Sequence, residues 1–160
     1  PGTVHGTRAA KREGVAHTPD PHHGARRAMS HILIVEDEPT TAWALAEGLS
    51  DDGFTIDTFR SAEEALVWLR EGSSDLVISD LRLPGMSGLE LAAKLRRGRN
   101  AQPVILVTAY GNPGSKAELK RAGVTDVFTK PFLIDELRRA VRGAIAGASA
   151  RRRPALRKAA

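Results

Sequence analysis

One stretch limits what this chain can fold into: Asp75-Leu-Val-Ile-Ser-Asp80-Leu-Arg-Leu-Pro-Gly-Met-Ser-Gly88. Leu76, Val77 and Ile78 make an apolar run of strand length, and the charged Asp80 stands where that run ends and a Pro/Gly loop begins. Open α/β sheets bind their ligands at such strand ends, where a rigid strand holds the side chain and the loop leaves it open to solvent. Asp80 is therefore the candidate reactive residue. Glu36-Asp37 directly follows Ile32-Leu-Ile-Val35, and Lys130-Pro131 directly follows Val127-Phe-Thr129, so three strand ends are expected to converge on one pocket.

The rest of the pattern supports that frame. Ile32 to Val35 is the all-apolar, β-branched run expected of a parallel strand covered on both faces. Pro39 suits a first helical turn, and Ala42, Leu45 and Leu49 continue at helical spacing up to Asp51-Asp52-Gly53. Phe54 to Phe59 reads as a second strand. Ser61-Ala-Glu-Glu64 reads as a capping box before a helix that stops at Glu71-Gly72. Leu76 to Ser79 is the third strand, and Ser87-Gly-Leu-Glu90 is a second capping box opening a helix through Leu91 and Leu95. Pro103 to Thr108 is a fourth, buried strand. After the breakers of Tyr110-Gly-Asn-Pro-Gly114 the sequence predicts a short, loosely held helix over Ser115–Arg121, ended by Gly123. Val127 to Thr129 is the fifth strand, and Ile134, Leu137, Val141 and Ile145 share one face of a last helix. Five strands alternating with five helices imply an α/β fold, a parallel sheet sandwiched between helices, with right-handed crossovers.

Charge divides the chain. Residues 1–29 carry five basic residues and two acidic ones, and residues 144–160 carry five basic residues and no acid, which leaves 14 basic against 17 acidic residues between them. The high pI belongs to the extensions and the core is mildly acidic. Residues 1–29 and 146–160, poor in large apolar side chains, are expected to be disordered around a folded unit at 30–145, with Met29 a candidate translational start. The absence of cysteine excludes disulfides and thiolate metal sites. No apolar run reaches the roughly 18 residues of a membrane span, so a cytoplasmic location is expected.

If Glu36, Asp37 and Asp80 approach within about 5 Å, each like-charge pair costs on the order of 3 kcal/mol at an effective dielectric near 20. Such a cluster calls for a cation. Oxygen-only ligands favour Mg²⁺, with Mn²⁺ as substitute, over zinc. Lys130 adds an ammonium and Thr108 a hydroxyl, so the set suits a phosphoryl group: a carboxylate nucleophile, charge neutralisation and positioning.

These motifs, Ile-Leu-Ile-Val-Glu36-Asp37-Glu, Asp80-Leu-Arg-Leu-Pro84-Gly-Met-Ser-Gly88, Val-Thr108-Ala109 and Lys130-Pro131-Phe132, resemble in order and spacing the receiver domains of bacterial two-component response regulators, from about His31 to Ile145. The resemblance implies a CheY-like, flavodoxin-like three-layer sandwich with strand order 2-1-3-4-5. It implies that Asp80 accepts a phosphoryl group from the phosphohistidine of a sensor kinase or phosphotransfer protein. Asp37, Asp80 and the backbone carbonyl of Arg82 would hold Mg²⁺, and Glu36 would act largely through metal-bound water. Lys130 would pair with the phosphoryl oxygens, and Thr108 would move toward them and carry the signal to the face of the fourth helix, fifth strand and fifth helix. Such a domain catalyses its own phosphorylation and dephosphorylation rather than turning over a separate substrate. Its downstream target is a protein the sequence does not identify, and a phosphorylation-dependent homodimer is one form of output.

Two positions depart from the family pattern. Val127 stands where an aromatic ring usually follows the threonine, with Phe128 beside it, which puts the aromatic readout in question. Leu133 occupies a position often taken by a polar helix cap and is expected to cover the core. Arg82 and Tyr110, two residues beyond acceptor and switch, are expected to slow access of water to the phosphoryl group.

Other classes fit less well. A haloacid-dehalogenase-type phosphatase wants a second aspartate where this chain has Arg82, and the P-loop pattern is absent. The chain is read as a stand-alone receiver. The alternatives are the receiver of a larger DNA-binding regulator or hybrid histidine kinase, and a partner-binding scaffold whose tail contacts nucleic acid. Without aromatic residues to stack bases, the basic tail reads as a solvated charged segment, and neither nucleic acid nor membrane is expected as a partner.

Overall fold

The computed structural model describes residues 29–98, 101–109 and 111–152. Most of the expected disordered extensions (1–28 and 153–160) and Tyr110 lie outside the described residues. The elements alternate throughout: β1 (His31–Val35), α1 (Pro39–Ser50), β2 (Thr55–Phe59), α2 (Ala62–Trp68), β3 (Leu76–Asp80), α3 (Gly88–Arg97), β4 (Val104–Thr108), α4 (Lys116–Ala122), β5 (Val124–Thr129) and α5 (Ile134–Arg152). All strand pairs are parallel, and the sheet order is β2-β1-β3-β4-β5, the doubly wound order implied by the motifs.

Burial follows position in the sheet. Every residue of β3 and β4 is buried, and so is β1 beyond His31, because helices cover both faces of the central strands. The edge strand β2 instead exposes Thr55, Asp57 and Thr58. Side-chain alternation divides the core into two layers. Ile32, Ile34, Ile78, Ile105 and Val107 meet Leu45 and Leu49 of α1 and Leu137 and Val141 of α5. Leu33, Val35, Val77 and Leu106 meet Ala62, Ala65, Leu91 and Leu95 of α2 and α3 on the other face.

Four helix starts use three different solutions. The boxes at α3 and α4 are complete: Ser87 and Ser115 each accept the amide of the glutamate three residues on, whose carboxylate accepts the serine amide in return. At α2 the expected box is only half formed. Ser61 Oγ accepts the Glu64 amide, but the Glu64 carboxylate accepts the amide of Arg60, one residue outside the cap. At α1 the cap is Glu38, whose carboxylate accepts the Thr40 and Thr41 amides.

Two boundaries differ from expectation. β5 begins at Val124, not Val127: Gly123 at φ +84° ends α4 in the left-handed region and turns the chain straight into the strand. Val104 pairs with Val124 and Ile105 with Asp126, so Thr125 is the extra residue of a bulge. α5 runs on to Arg152 instead of ending near Ile145, so residues 146–152 are helical and not disordered. Ala146, Ala148 and Ala150 are strong helix formers, and buried Ala148 prolongs the stripe of Val141 and Ala144. Arg138 and Arg142 tie α5 to the end of α1, where the Arg138 Nε donates to the Gly48 carbonyl at 2.6 Å and the two guanidinium groups reach Asp51 and Asp52.

Candidate functional site

The parallel register delivers the site residues to one edge of the sheet. Val35 lies opposite Ser79, and Asp80 opposite Val107, so the ends of β1, β3 and β4 are level. Three backbone bonds carry the alignment past the strand ends: Glu36 to the Phe59 carbonyl at 3.0 Å, Leu81 to Val107 at 3.0 Å, and Lys130 to Thr108 at 2.8 Å. Glu36 from the end of β1, Asp80 from β3 and Lys130 from the end of β5 therefore meet.

Lys130 Nζ donates at 2.9 Å to Glu36 Oε2 and at 2.9 Å to Asp80 Oδ2. Glu36 is only 2% exposed, whereas a quarter of the Lys130 side chain reaches solvent. Burial raises the Glu36 carboxyl above its ordinary value, and the ammonium of Lys130 and the Glu38 amide only partly offset this. Burial acts on Lys130 in the opposite sense, lowering it. Its hydrogen bonds to Glu36 and Asp80 outweigh that and hold the ammonium above its usual value. The second Asp80 oxygen, Oδ1, accepts the Arg82 amide at 2.8 Å, so one carboxylate oxygen faces the lysine and the other faces the loop.

A close approach supports the acceptor strand from below. The Gly88 amide donates to the Leu81 carbonyl at 3.0 Å, and a Cβ on Gly88 would collide with the Asp80 carbonyl oxygen and come within 2.9 Å of Ser79 Oγ. Only glycine lets α3 start this close to the end of β3. A glycine at the first position of a capped helix was the available signal for it, but what it touches depends on the packing.

Not every expected residue joins the cluster. Asp37 follows Glu36, half-buried, and has no part in the Lys130 pairs. Among the described residues no group of three or more His, Asp or Glu side chains is arranged to hold a metal ion. Glu36 and Asp80 share the one ammonium of Lys130. Thr108 is buried at the end of β4 beside Thr129. Arg82 is exposed at the loop, and Tyr110 is outside the described residues.

Val127 and Phe128 face opposite ways. Val127 packs with the α2, α3 and α4 layer, whereas Phe128 packs with the α1 and α5 layer, edge to face with Phe132 at 5.5 Å. Phe128 therefore does not reach the side on which Val127 stands. Leu133 is 68% exposed, contrary to the expectation that it covers the core, because Phe132 and Ile134 fill that role on either side of it. Sequence reasoning also missed the cap Glu38, which the Thr41 side chain and the Thr40 and Thr41 amides hold at a pKa of about 2.

Comparison with known proteins agrees with this arrangement. The family model described as response regulator receiver domain matches residues 32–142. The transcriptional regulatory protein TcrA of Mycobacterium tuberculosis is 41% identical over 106 residues, covering 66% of this chain and 42% of that protein. The two-component response regulator PhoP of Pseudomonas aeruginosa is 42% identical over 106 residues, covering 66% and 47%. The chain thus spans less than half the length of these two relatives. Among solved structures, the response regulator TrrA of Thermotoga maritima, in complex with Mg²⁺ and BeF, superposes with a TM-score of 0.67 at 38% identity, covering 72% of this chain and 99% of that one. A five-stranded sheet of order 2-1-3-4-5 whose edge joins Glu36, Asp80 and Lys130, together with a family match over 32–142, establishes that the chain belongs to the response regulator receiver domains of two-component systems.

Proposed function

We propose that Asp80 is the phosphoacceptor, taking a phosphoryl group from the phosphohistidine of a sensor histidine kinase or a phosphotransfer protein. The observation that carries this reading is the pair of 2.9 Å contacts from Lys130 to Glu36 and Asp80 at the carboxyl edge of the sheet. An Asp80 oxygen attacks phosphorus as the bond from phosphorus to the imidazole nitrogen breaks, and the imidazole leaves with the electron pair. Charge then builds on the phosphoryl oxygens, and Lys130 stands beside the oxygen that attacks. With Asp80 converted to an acyl phosphate, the ammonium is positioned to exchange its carboxylate partner for a phosphoryl oxygen. Glu36 stays behind to hold it in place.

The donor set suits a hard divalent cation, since every candidate ligand is oxygen and Asp37, half-buried, directly follows Glu36. Asp37, Asp80 and the Arg82 carbonyl would hold Mg²⁺, or Mn²⁺ in its place, with Glu36 contributing through water. Bound there, the ion would neutralise charge on the transferring group. Thr108 is the proposed hydroxyl partner of the phosphoryl oxygens, and the face of α4, β5 and α5 the proposed output surface. Val127 cannot provide an aromatic switch on its side of β5, so the readout passes through Thr108 and the α4 loop. Arg82 and Tyr110 flank the route of water. The domain works in the cytoplasm, where its kinase domain would be, and no described helix is long and apolar enough to cross a membrane.

Because the relatives are longer, we place this receiver within or beside a larger regulator. The test uses acetyl phosphate with Mg²⁺ and intact-mass measurement. The wild type gains about 80 Da, the mass of one phosphoryl group, and Asp80→Asn gains nothing. A wild type that stays unlabelled, or an Asp80→Asn variant that labels equally, ends this reading.

A further inference from the structure

At the amino ends of β4 and β5, opposite the phosphoacceptor, a cleft of about 580 Å³ opens between α3, α4 and α5. Arg96, Lys120 and Arg151 line it, one from each helix, together with Gln102, Thr125 and Ala148. Among the described residues no carboxylate lines it. The stem of Arg96 lies over Gly123, where a Cβ would come within 3.1 Å of its Cδ and 3.2 Å of its Cβ, so the missing side chain at Gly123 makes room for the arginine.

Two arginines of α5, Arg138 and Arg142, are already paired, which these three cations are not. Arg138 and Arg142 are spent on Asp51, Asp52 and Asp135, whereas none of the ion pairs among the described residues involves Arg96, Lys120 or Arg151. The nearest acids in neighbouring α3 and α4, Glu90 and Glu118, are held in the capping boxes of the first turns. The dipoles of the helix ends do not account for the excess either. A helix C-terminus presents about half a negative charge, while the last turns of α3 and α4 carry Lys94, Arg96, Arg97, Lys120 and Arg121.

We propose that this cleft holds the phosphate backbone of duplex nucleic acid without reading its sequence. An extended polyanion is favoured over a compact one because the run of positive charge continues along the chain from Arg151 through Arg152, Arg153, Arg157 and Lys158 with no acid between them. A duplex is favoured over a single strand because none of the described residues lining the cleft is aromatic and able to stack on bases.

The test measures fluorescence anisotropy of a labelled mixed-sequence duplex against the whole 160-residue chain over a salt series. The variant Arg96→Ala, Lys120→Ala, Arg151→Ala is compared with a charge-matched control, Arg60→Ala, Arg70→Ala, Arg139→Ala. Losing three phosphate contacts lowers the slope of log K against log salt by about 2.7. The control and a shuffled duplex keep the wild-type slope. Urea denaturation checks that each variant is folded, and the exposed single change Arg151→Ala, worth about 0.9 in slope, stands in if the triple variant is not. The proposal fails if wild type does not bind the duplex, if the cleft variant keeps the wild-type slope, if the control loses as much, or if tripolyphosphate binds more tightly than the duplex.

Discussion

The two ends of the one sheet treat charge in opposite ways. At the carboxyl ends, Glu36 and Asp80 are buried and share the partly solvated ammonium of Lys130. At the amino ends, His31 Nε2 meets Asp57 at 2.8 Å with half of the aspartate in water, the ring edge rests on Trp68, and Arg96, Lys120 and Arg151 stand around an open cleft. The strands and their register are common to both ends, so the difference lies in the covering. Where burial removes water, charges depend on one another, and one substitution disturbs all of them. Where water remains, each charge acts nearly alone and is screened by salt.

The sharpest way to break this contrast is Lys130→Met. With its ammonium gone, Glu36 and Asp80 lose the cation that they share. Acetyl phosphate labelling is expected to fall about 100-fold, the loss typical of removing one charge-stabilising donor. Metal-free stability is expected to drop by about 3 kcal/mol, the low end for a broken buried pair because Lys130 is partly solvated. The sign with pH follows from the raised ammonium: its contribution is complete below the unfolded value of 10.5 and is lost as pH rises through the higher folded value. The gap in urea midpoint between wild type and variant should therefore close above pH 10.5. A gap that stays constant into strong alkali would show that the lysine is not coupled to its neighbours.

Gly88→Ala tests the support beneath the acceptor. The new methyl collides with the Asp80 carbonyl, a backbone atom that cannot swing aside, so α3 must move away from β3. We expect a cost of about 2 kcal/mol in urea denaturation, within the usual range for overpacking, and slower phosphorylation. Gly143→Ala, on the exposed face of α5 with open space around it, should be neutral or slightly stabilising. If both changes had the same effect, the close approach at Gly88 would carry no weight.

These residues also show what could be read before folding. The strands β1, β3 and β4 were legible because being covered on both faces demands an unbroken apolar run. β5 was legible only at its end, since the bulge leaves Thr125 unpaired and sets Asp126, not an apolar residue, opposite Ile105. That Glu36, Asp80 and Lys130 converge followed from strand ends. That one ammonium bridges carboxylates 94 and 50 residues away did not, because it depends on side-chain reach and burial. The orientation of Phe128 was in principle available from strand alternation, but the basic cleft was not, since its three cations lie on separate helices.

The smallest effect concerns Glu38, which sits next to the charged cluster and yet behaves like a group at the other end of the sheet. Its carboxylate is exposed, caps α1, and is held at a pKa of about 2 by the Thr41 side chain and the Thr40 and Thr41 amides, against an ordinary 4.5. A lowered folded value means that the ionised cap stabilises the native state above pH 4.5 and that this contribution is lost as pH falls toward 2. Glu38→Gln keeps a weaker acceptor and loses the charge, so it should lower the urea midpoint modestly at pH 6, and the gap from wild type should vanish near pH 2. Labelling of Asp80 should change little, because the cap holds the helix and does not touch the acceptor. If Glu38→Gln instead abolished labelling at neutral pH, the boundary between coupled and independent charges would have to be redrawn to take in the start of α1.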